Sequence, residues 1–268
     1  IFDRRYGSTN TFEKNNYPVG YNLGQSGNTP SQNLVDAYEM IDGTPFDWNN
    51  PEHKSNPYAN RDPRLAMSIL TNNVEFKDRT IEAWTGGRDG KGVIHATRTG
   101  YYIYKFIDPN LDLLQNRTSV HHWVIMRYAE ILLSYAEAMN EAYGPTGNVG
   151  YRLNAVRALN QVRNRVGVEM PAVPTAISKE ELREKIRNER RVELAFEDHR
   201  FWDVRRWMIA PETLGAPLRG VEITKISDEE FEYNPIEVEK RTFEPKMYLY
   251  SIPQADLNTT GWVQNPLW

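Results

Sequence analysis

Between residues 124 and 207 apolar side chains recur at the helical period; on either side of that span they do not. In "VIMRYAEILLSYAEAMNEAYG", Val124 to Gly144, one helix face collects Ile125, Tyr128, Ala129, Leu132, Tyr135, Ala136 and Met139. "YRLNAVRALNQVRNRVG" repeats the pattern with Leu153, Val156, Leu159, Val162 and Val166, and stops at Gly167. A third helix starts at Ser178, with Glu181 three residues on as a capping box. A shorter one follows in "RFWDVRRWMIA". Gly144, Pro145, Gly147, Pro171 and Pro174 mark the connections. This spacing predicts antiparallel helix hairpins stacked in a layer. The small residues Ala129, Ala136, Ala155 and Ala158 allow close contact between them.

Residues 1 to 120 carry little such periodicity. "EKNNYPVGYNLGQSGNTPSQN" is dominated by Gly, Pro, Asn and Ser and reads as loop. One helix is predicted over Pro30 to Gly43, capped by Ser31 and ended by Gly43. "RLAMSILTNNVEF" and "TGYYIYKFIDP" read as short extended pieces. Residues 210 to 268 return to loop, with Trp262 and Trp268 expected to be pinned into the body. The chain therefore divides into a loop-rich, ligand-binding part at 1–120, a helical scaffold at 121–209, and a loop-rich segment at 210–268 packed on the body. All three are expected to form one domain together with a preceding half of a larger protein.

Composition removes several function classes. A chain of 268 residues with 40% apolar content can build a substantial core. A formal net charge of -4 argues against binding nucleic acid or an anionic membrane surface, since both need surplus Lys and Arg. Without cysteine there are no disulfides, thiolate metal sites or cysteine nucleophiles. No apolar run reaches membrane-spanning length. The opening "IFDRRYGSTN" has neither an initiator methionine nor a signal peptide, so the chain is expected to begin partway through a larger protein.

The densest charge lies in "NERRVELAFEDHRFWDVRRW", Asn188 to Trp207, where five arginines alternate with five carboxylates. The apolar face set by Leu182 and Ile186 continues into Glu189, Arg190, Glu193 and Glu197, so charge replaces the stripe. Carboxylates on a buried stripe must be paired. Arg163, Arg165, Arg200, Arg205 and Arg206 are within sequence reach. A di-metal carboxylate site would need Glu-x-x-His pairs on facing helices. His53, His95, His121, His122 and His199 do not supply them. A glycosidase-type carboxylate pair needs an acid of raised pKa, and interleaved arginines act the other way. The run reads as a structural ion network.

The same run carries a family resemblance. "IRNERRVELAFEDHRFWDVRRW", "MRYAEILLSYAEA", "LNQVRNRVGV", "PSQNLVDAYEMIDG", "NRDPRL", "TGYYIYKFIDP", and the terminal "YSIPQADL" and "QNPLW" fit a common pattern. In their order and spacing they resemble the SusD/RagB family of outer-membrane nutrient-binding lipoproteins, over roughly the C-terminal half of a typical member. The resemblance implies a mainly α fold: tetratricopeptide-like helix hairpins with long irregular loop excursions and a few short strands. It also implies a cell-surface protein of the outer membrane that binds oligosaccharides, or in some members peptides. Such proteins hand their ligand to a TonB-dependent SusC-like transporter, without catalysis or cofactor. Membrane attachment would run only through a lipid anchor outside this chain.

Sugar binding requires flat aromatic faces beside amides and carboxylates. The loops of the first part offer Tyr17, Tyr21, Asn22, Asn28, Trp48, Asn49, Asn50, Tyr58, Asn60 and Trp84. Trp48 is the sharpest candidate, flanked by Asp47, Asn49 and Asn50 in a loop bounded by Pro45 and Pro51. Tyr128, Tyr135, Trp202 and Trp207 are expected in the core. The glycine-rich "TGGRDGKG" lacks a phosphate-loop ending and reads as a flexible loop. "DPNLDLLQN" lacks the central glycine and final glutamate of a calcium loop. Two other readings remain open on the residues alone: a carbohydrate hydrolase using paired carboxylates, and a helical-repeat scaffold without a small ligand.

Overall fold

A computed structural model describes residues 1–268. In chain order the elements are β1 (Phe2–Arg5), α1 (Thr11–Asn16), α2 (Gln32–Val35), α3 (Pro51–Ser55), α4 (Arg64–Ser68), β2 (Ile69–Leu70), β3 (Glu75–Phe76), β4 (Arg79–Thr80), β5 (Tyr102–Ile103) and β6 (His122–Met126). The long helices follow as α5 (Tyr128–Tyr143), α6 (Ala155–Arg163), α7 (Lys179–Glu193) and α8 (His199–Arg206). Last come α9 (Ala210–Thr213), β7 (Leu218–Lys225), β8 (Phe231–Glu239) and α10 (Gln254–Thr260). The strands form four antiparallel pairs, β1–β6, β2–β5, β3–β4 and β7–β8, and no larger sheet.

Two apolar clusters hold these elements. Leu132, Leu133, Ala136 and Met139 of α5 meet Ala155, Val156, Leu159 and Val162 of α6 and Leu182 and Ile186 of α7. Alanines at these crossings let the helices approach closely, as their spacing predicted. The second cluster is aromatic and lies under the loops: Tyr17, Tyr21, Tyr38, Phe76, Tyr101 and Tyr102, closed by Val221, Ile223 and Tyr233 of the last hairpin. The Ser178 capping box that starts α7 is present, with Ser178 Oγ accepting from Glu181 N at 3.1 Å. Ser31 likewise caps α2.

Several expectations are corrected. The helix read over Pro30 to Gly43 stops at Val35, because the next residues are drawn into tertiary bonds. Asp62 N–H donates to Glu39 O, and Met40 pairs with Arg61. Tyr128 and Trp202 are not core residues; they are 67% and 62% exposed. Tyr128 lies one turn before the buried stripe of α5 begins, and α8 turns Asp203 and Val204 inward, leaving Trp202 outside. Tyr135 and Trp207 are half-buried, donating to Leu153 O at 2.8 Å and Glu137 Oε1 at 2.7 Å. Val166 lies past the end of α6 and is 93% exposed. Residues 210–268 are not all loop, since β7–β8 is the longest strand pair in the molecule. Trp262 is 63% exposed. Trp268 is tethered by its indole N–H to Lys246 O and Leu249 O, and is not buried.

The charged run is a buried ion network, as its position on the apolar stripe of α7 required. Its centre is Arg64. The guanidinium meets Asp62 at 2.6 Å, Glu189 at 2.6 Å and Glu193 at 2.9 Å. Glu189 is shared with Arg163 at 2.8 Å, and Arg163 continues to Glu39 at 2.9 Å. Glu193 also binds Arg127 at 2.6 Å and pairs with Arg165. Glu197 joins Arg127 and Lys105 at 2.7 and 2.5 Å. Of the partners within sequence reach, Arg163 and Arg165 take part directly and Arg206 through Asp203. Arg205 instead donates to backbone carbonyls of Met247 and Tyr248.

Burial alone would raise the Glu193 carboxyl, but Arg127 and Arg165 outweigh it and hold it down, from 4.5 to about 2. A group with a depressed folded pKa contributes its stability above its unfolded pKa. That stability is lost as pH falls from about 4.5 towards 2. Glu193→Ala is expected to cost about 3 to 5 kcal/mol, because it strands buried guanidinium. Urea midpoints followed between neutral pH and pH 2 should fall steeply for the native protein and less steeply for the variant. Equal slopes would count against the network as the source of acid sensitivity.

Candidate ligand cleft

A cleft of about 590 Å³ opens at the end of the aromatic cluster, between α3, the turn after β2 and the β7–β8 hairpin. Tyr58 and Phe231 line it, with Asn56, Asn72, Asn73 and Tyr233. The rings form a chain. Tyr58 meets Tyr101 and Tyr233 edge-on at centroid distances of 6.1 and 5.3 Å, and Tyr233 is followed by Phe231 at 6.5 Å. Trp84 lies against Phe231 at 5.4 Å, with Lys225 over its ring.

Hydrogen bonds fix the inner members and leave the outer ones free. Tyr101 donates to Gln32 Oε1 at 2.5 Å, and Tyr58 to the Tyr101 hydroxyl at 3.4 Å. Burial, then the neighbouring Tyr101, pushes the Tyr58 phenol well up. Asn72 is buried, and its Oδ1 accepts from Ala83 N at 3.1 Å. Asn56 and Asn73 are exposed. Arg61, deeper in the wall, is held by the carbonyls of Val35, Tyr38 and Pro57 and is not a free cation.

The other candidates lie elsewhere. Tyr17, Tyr21 and Asn22 line a separate hollow of about 610 Å³ with Lys77, Arg79 and Arg88. Both tyrosines are buried in the core. Tyr17 donates to Asp108 O at 2.5 Å, and Tyr21 to Phe76 O at 2.9 Å. Arg79 covers the face of Tyr21 at 3.8 Å and Lys77 that of Tyr17 at 5.0 Å. Asn22 is exposed. Trp48 is half-buried; it meets Phe46 edge-on at 5.1 Å and donates its indole N–H to Asp36 at 3.0 Å. Asn49 bonds through its backbone and side-chain nitrogens to Asp47 Oδ1, and Asn50 caps α3. Asp47 and the Asn50 side-chain oxygen are thus engaged in local bonds, and the Trp48 indole N–H is tied to Asp36.

Thus the fold brings Tyr58 and Trp84 together, groups Tyr17, Tyr21 and Asn22 in another place, and sets Trp48 and Asn49 apart from both. Phe231, Tyr233 and Asn73 also line this cleft and were not among the sequence candidates. For the first two a signal was present: "FEYNPIEVE" begins with alternation, and a strand there puts Phe231 and Tyr233 on one side.

No group of three or more His, Asp and Glu side chains is arranged to hold a metal. Asp108 and Asp112, in the stretch compared with a calcium loop, accept from the backbone N–H groups of Asn110 and Gln115. In the glycine-rich loop Asp89 is fully buried and pairs with Arg79 at 2.6 Å.

A mostly helical chain with packed helix hairpins, short strand pairs and a loop-built cleft defines a class, and the comparisons place it. The model of the SusD family matches residues 1–268, and the chain belongs to that family. A SusD-like protein of Bacteroides fragilis is 31% identical with a TM-score of 0.82, over 100% of this chain and 54% of that one. A SusD-like carbohydrate binding protein of the same species is 30% identical with a TM-score of 0.78, over 96% of this chain and 53% of that one. SusD-like protein P2 of Formosa agariphila is 34% identical over 120 residues, 43% of this chain and 22% of that protein. The chain thus spans about half the length of these solved relatives.

Tyr21→Phe removes a hydroxyl that serves two buried carbonyls, those of Phe76 and Arg79. It should lower unfolding free energy by about 1 kcal/mol, read from urea titration. No change would mean that water replaces the hydroxyl and that Tyr21 is open to solvent.

Proposed function

We propose that this chain belongs to a non-catalytic surface glycan-binding protein that takes oligosaccharide in the Tyr58–Phe231 cleft and delivers it to a TonB-dependent SusC-like transporter. It works at the outer face of the outer membrane, held there by a lipid anchor. No helix of the chain is long and apolar enough to cross a membrane.

The observation that carries the reading is the cleft's composition. The rings of Tyr58 and Phe231 line it together with exposed Asn56 and Asn73. Apolar pyranose faces stack on such rings while amides exchange hydrogen bonds with hydroxyls. Family membership supports it, as does the carbohydrate-binding description of one relative. The carboxylates of the ion network support a role without catalysis. Burial works against ionisation of Glu193 and Glu197, yet Arg127 and its neighbours hold both carboxyls low. A general acid requires the opposite shift.

Isothermal titration of the full-length protein with an oligosaccharide panel, with product analysis in the same samples, tests the reading. Phe231→Ala is expected to weaken binding by about 1 to 3 kcal/mol, the loss typical of an anchoring aromatic. Trp48→Ala should lower stability with little effect on affinity, since its indole is tied to Asp36. Loss of binding in Trp48→Ala alone would move the platform to the Pro45–Pro51 loop. Turnover abolished by a single carboxylate substitution would replace the binding role with a hydrolase.

A further inference from the structure

Two half-buried arginines that pair with no carboxylate lie away from the Tyr58 cleft. A hollow of about 600 Å³ opens beside the C-terminal turn of α7, between α2, α9 and the start of β7. Arg191, Arg200, Arg219 and Arg241 line it, against the carboxylates Asp36 and Glu212. It shares no lining residue with the Tyr58 cleft.

Partnering divides the four arginines. Arg219 pairs with Asp36 at 2.5 Å and Arg241 with Glu239 at 3.0 Å. Asp36 also accepts from Gln32 Nε2 at 2.7 Å and Trp48 Nε1 at 3.0 Å, and it favours the charge of Arg191 without bonding to it. Arg191 has one acceptor, the backbone carbonyl of Asn33. Arg200 has neither a hydrogen bond nor an ion pair with the protein; only the more distant Asp203 favours its charge. Both side chains are half-buried. Burial first, then the proximity of Arg200, draws Arg191 down to about 10.

This contrasts with the ion network. Arg64, Arg163 and Arg190 are fully buried, and each has its own carboxylate; Arg61, also buried, is instead enclosed by the carbonyls of Val35, Tyr38 and Pro57. Two neighbouring guanidinium groups left without a carboxylate repel each other, and an external anion relieves that repulsion. Their planar forks match the paired oxygens of a carboxylate or sulfate. Leu34, Phe196 and Leu214 supply an apolar wall for the rest of the ligand.

We propose that this hollow binds the oxyanion of an acidic sugar, a uronate carboxylate or a sulfate ester, with Arg191 and Arg200 as its cations. The sugar rests on the glycan-binding reading above; the anion does not. The test is titration of the full-length protein with digalacturonate, a sulfated disaccharide, neutral cellobiose and sodium sulfate, at matched ionic strength. At least one acidic disaccharide should bind more tightly than cellobiose. Arg200→Gln should weaken that binding by roughly tenfold or more, the cost of a lost charge-assisted bond. Arg200 makes no bond within the protein, so this variant keeps the native melting profile; Arg191→Gln should show the same loss. Acidic disaccharides that fail to bind, or that bind equally well to both variants, overturn the proposal. Sulfate binding without binding of either disaccharide overturns the sugar as occupant. Arg200→Gln also separates the two sites: it should leave the affinity for neutral oligosaccharide unchanged, and a parallel loss there would merge them and overturn this one.

Discussion

Arg64 is the residue on which the rest of the arrangement depends. Its guanidinium is buried and surrounded by Asp62, Glu189 and Glu193. A buried charge of this kind is tolerated only when every donor finds an acceptor. That condition fixes the position of α4 on α7, and through Arg127 and Arg163 it fixes α5 and α6 as well. The loop-rich layer and the helical layer therefore meet across a surface of matched charges. Apolar contacts would tolerate sliding; a set of directed ion pairs does not.

The cleft inherits its shape from that joint. β2 follows α4 directly and leads into the turn of Asn72 and Asn73, so that turn sits a few residues from Arg64 in the chain. Phe231 and Tyr233 arrive from the opposite side, on a hairpin pressed against Thr99 and Gly100, where Val221 N–H donates to Thr99 O at 3.0 Å. Gly220 makes this approach possible, since a Cβ there would fall 2.7 Å from Thr99 Cα. The ring chain from Tyr101 to Trp84 then bridges the two sides. Loops are usually adaptable, but here their aromatic residues are set by packing beneath them, and a preorganised site loses less entropy on binding.

The helical layer was legible in the sequence because short-range periodicity specifies it. Leu132, Ala136 and Met139, or Val156, Leu159 and Val162, announce a helix face without reference to anything distant. The ion network was half legible. The misplaced charges on α7 showed that cations must come, and Arg163 and Arg165 were within reach. Arg64, 125 residues from Glu189, could not be found by spacing. Tyr128 and Trp202 were misplaced for a related reason: period identifies the face of a helix, not how far its neighbours extend along it. The candidate site was least legible. Tyr17 and Tyr21 look like loop aromatics in a line of text, and only tertiary contact with Phe76, Lys77 and Arg79 shows their faces to be covered. The β7–β8 hairpin was obscured by Pro235, which weakens a strand signal but is tolerated in a two-stranded ribbon.

The hairpin also governs the order of assembly. Its partners lie far back in the chain: Arg219 N–H donates to Asn33, a separation of 186 residues, and Asn33 in turn donates to Pro217 O across 184. Val221, Ile223 and Tyr233 complete an aromatic core whose other members all precede residue 193. During synthesis the helical layer of α5 to α7 can close as soon as residue 193 has emerged, since its contacts are local. The loop layer made first must wait, with Tyr101, Tyr102 and Ile81 exposed, until the hairpin is delivered. Long-range closure of this kind is slow. The loop layer, made before the helices, thus completes its aromatic core only after them, when Val221, Ile223 and Tyr233 arrive.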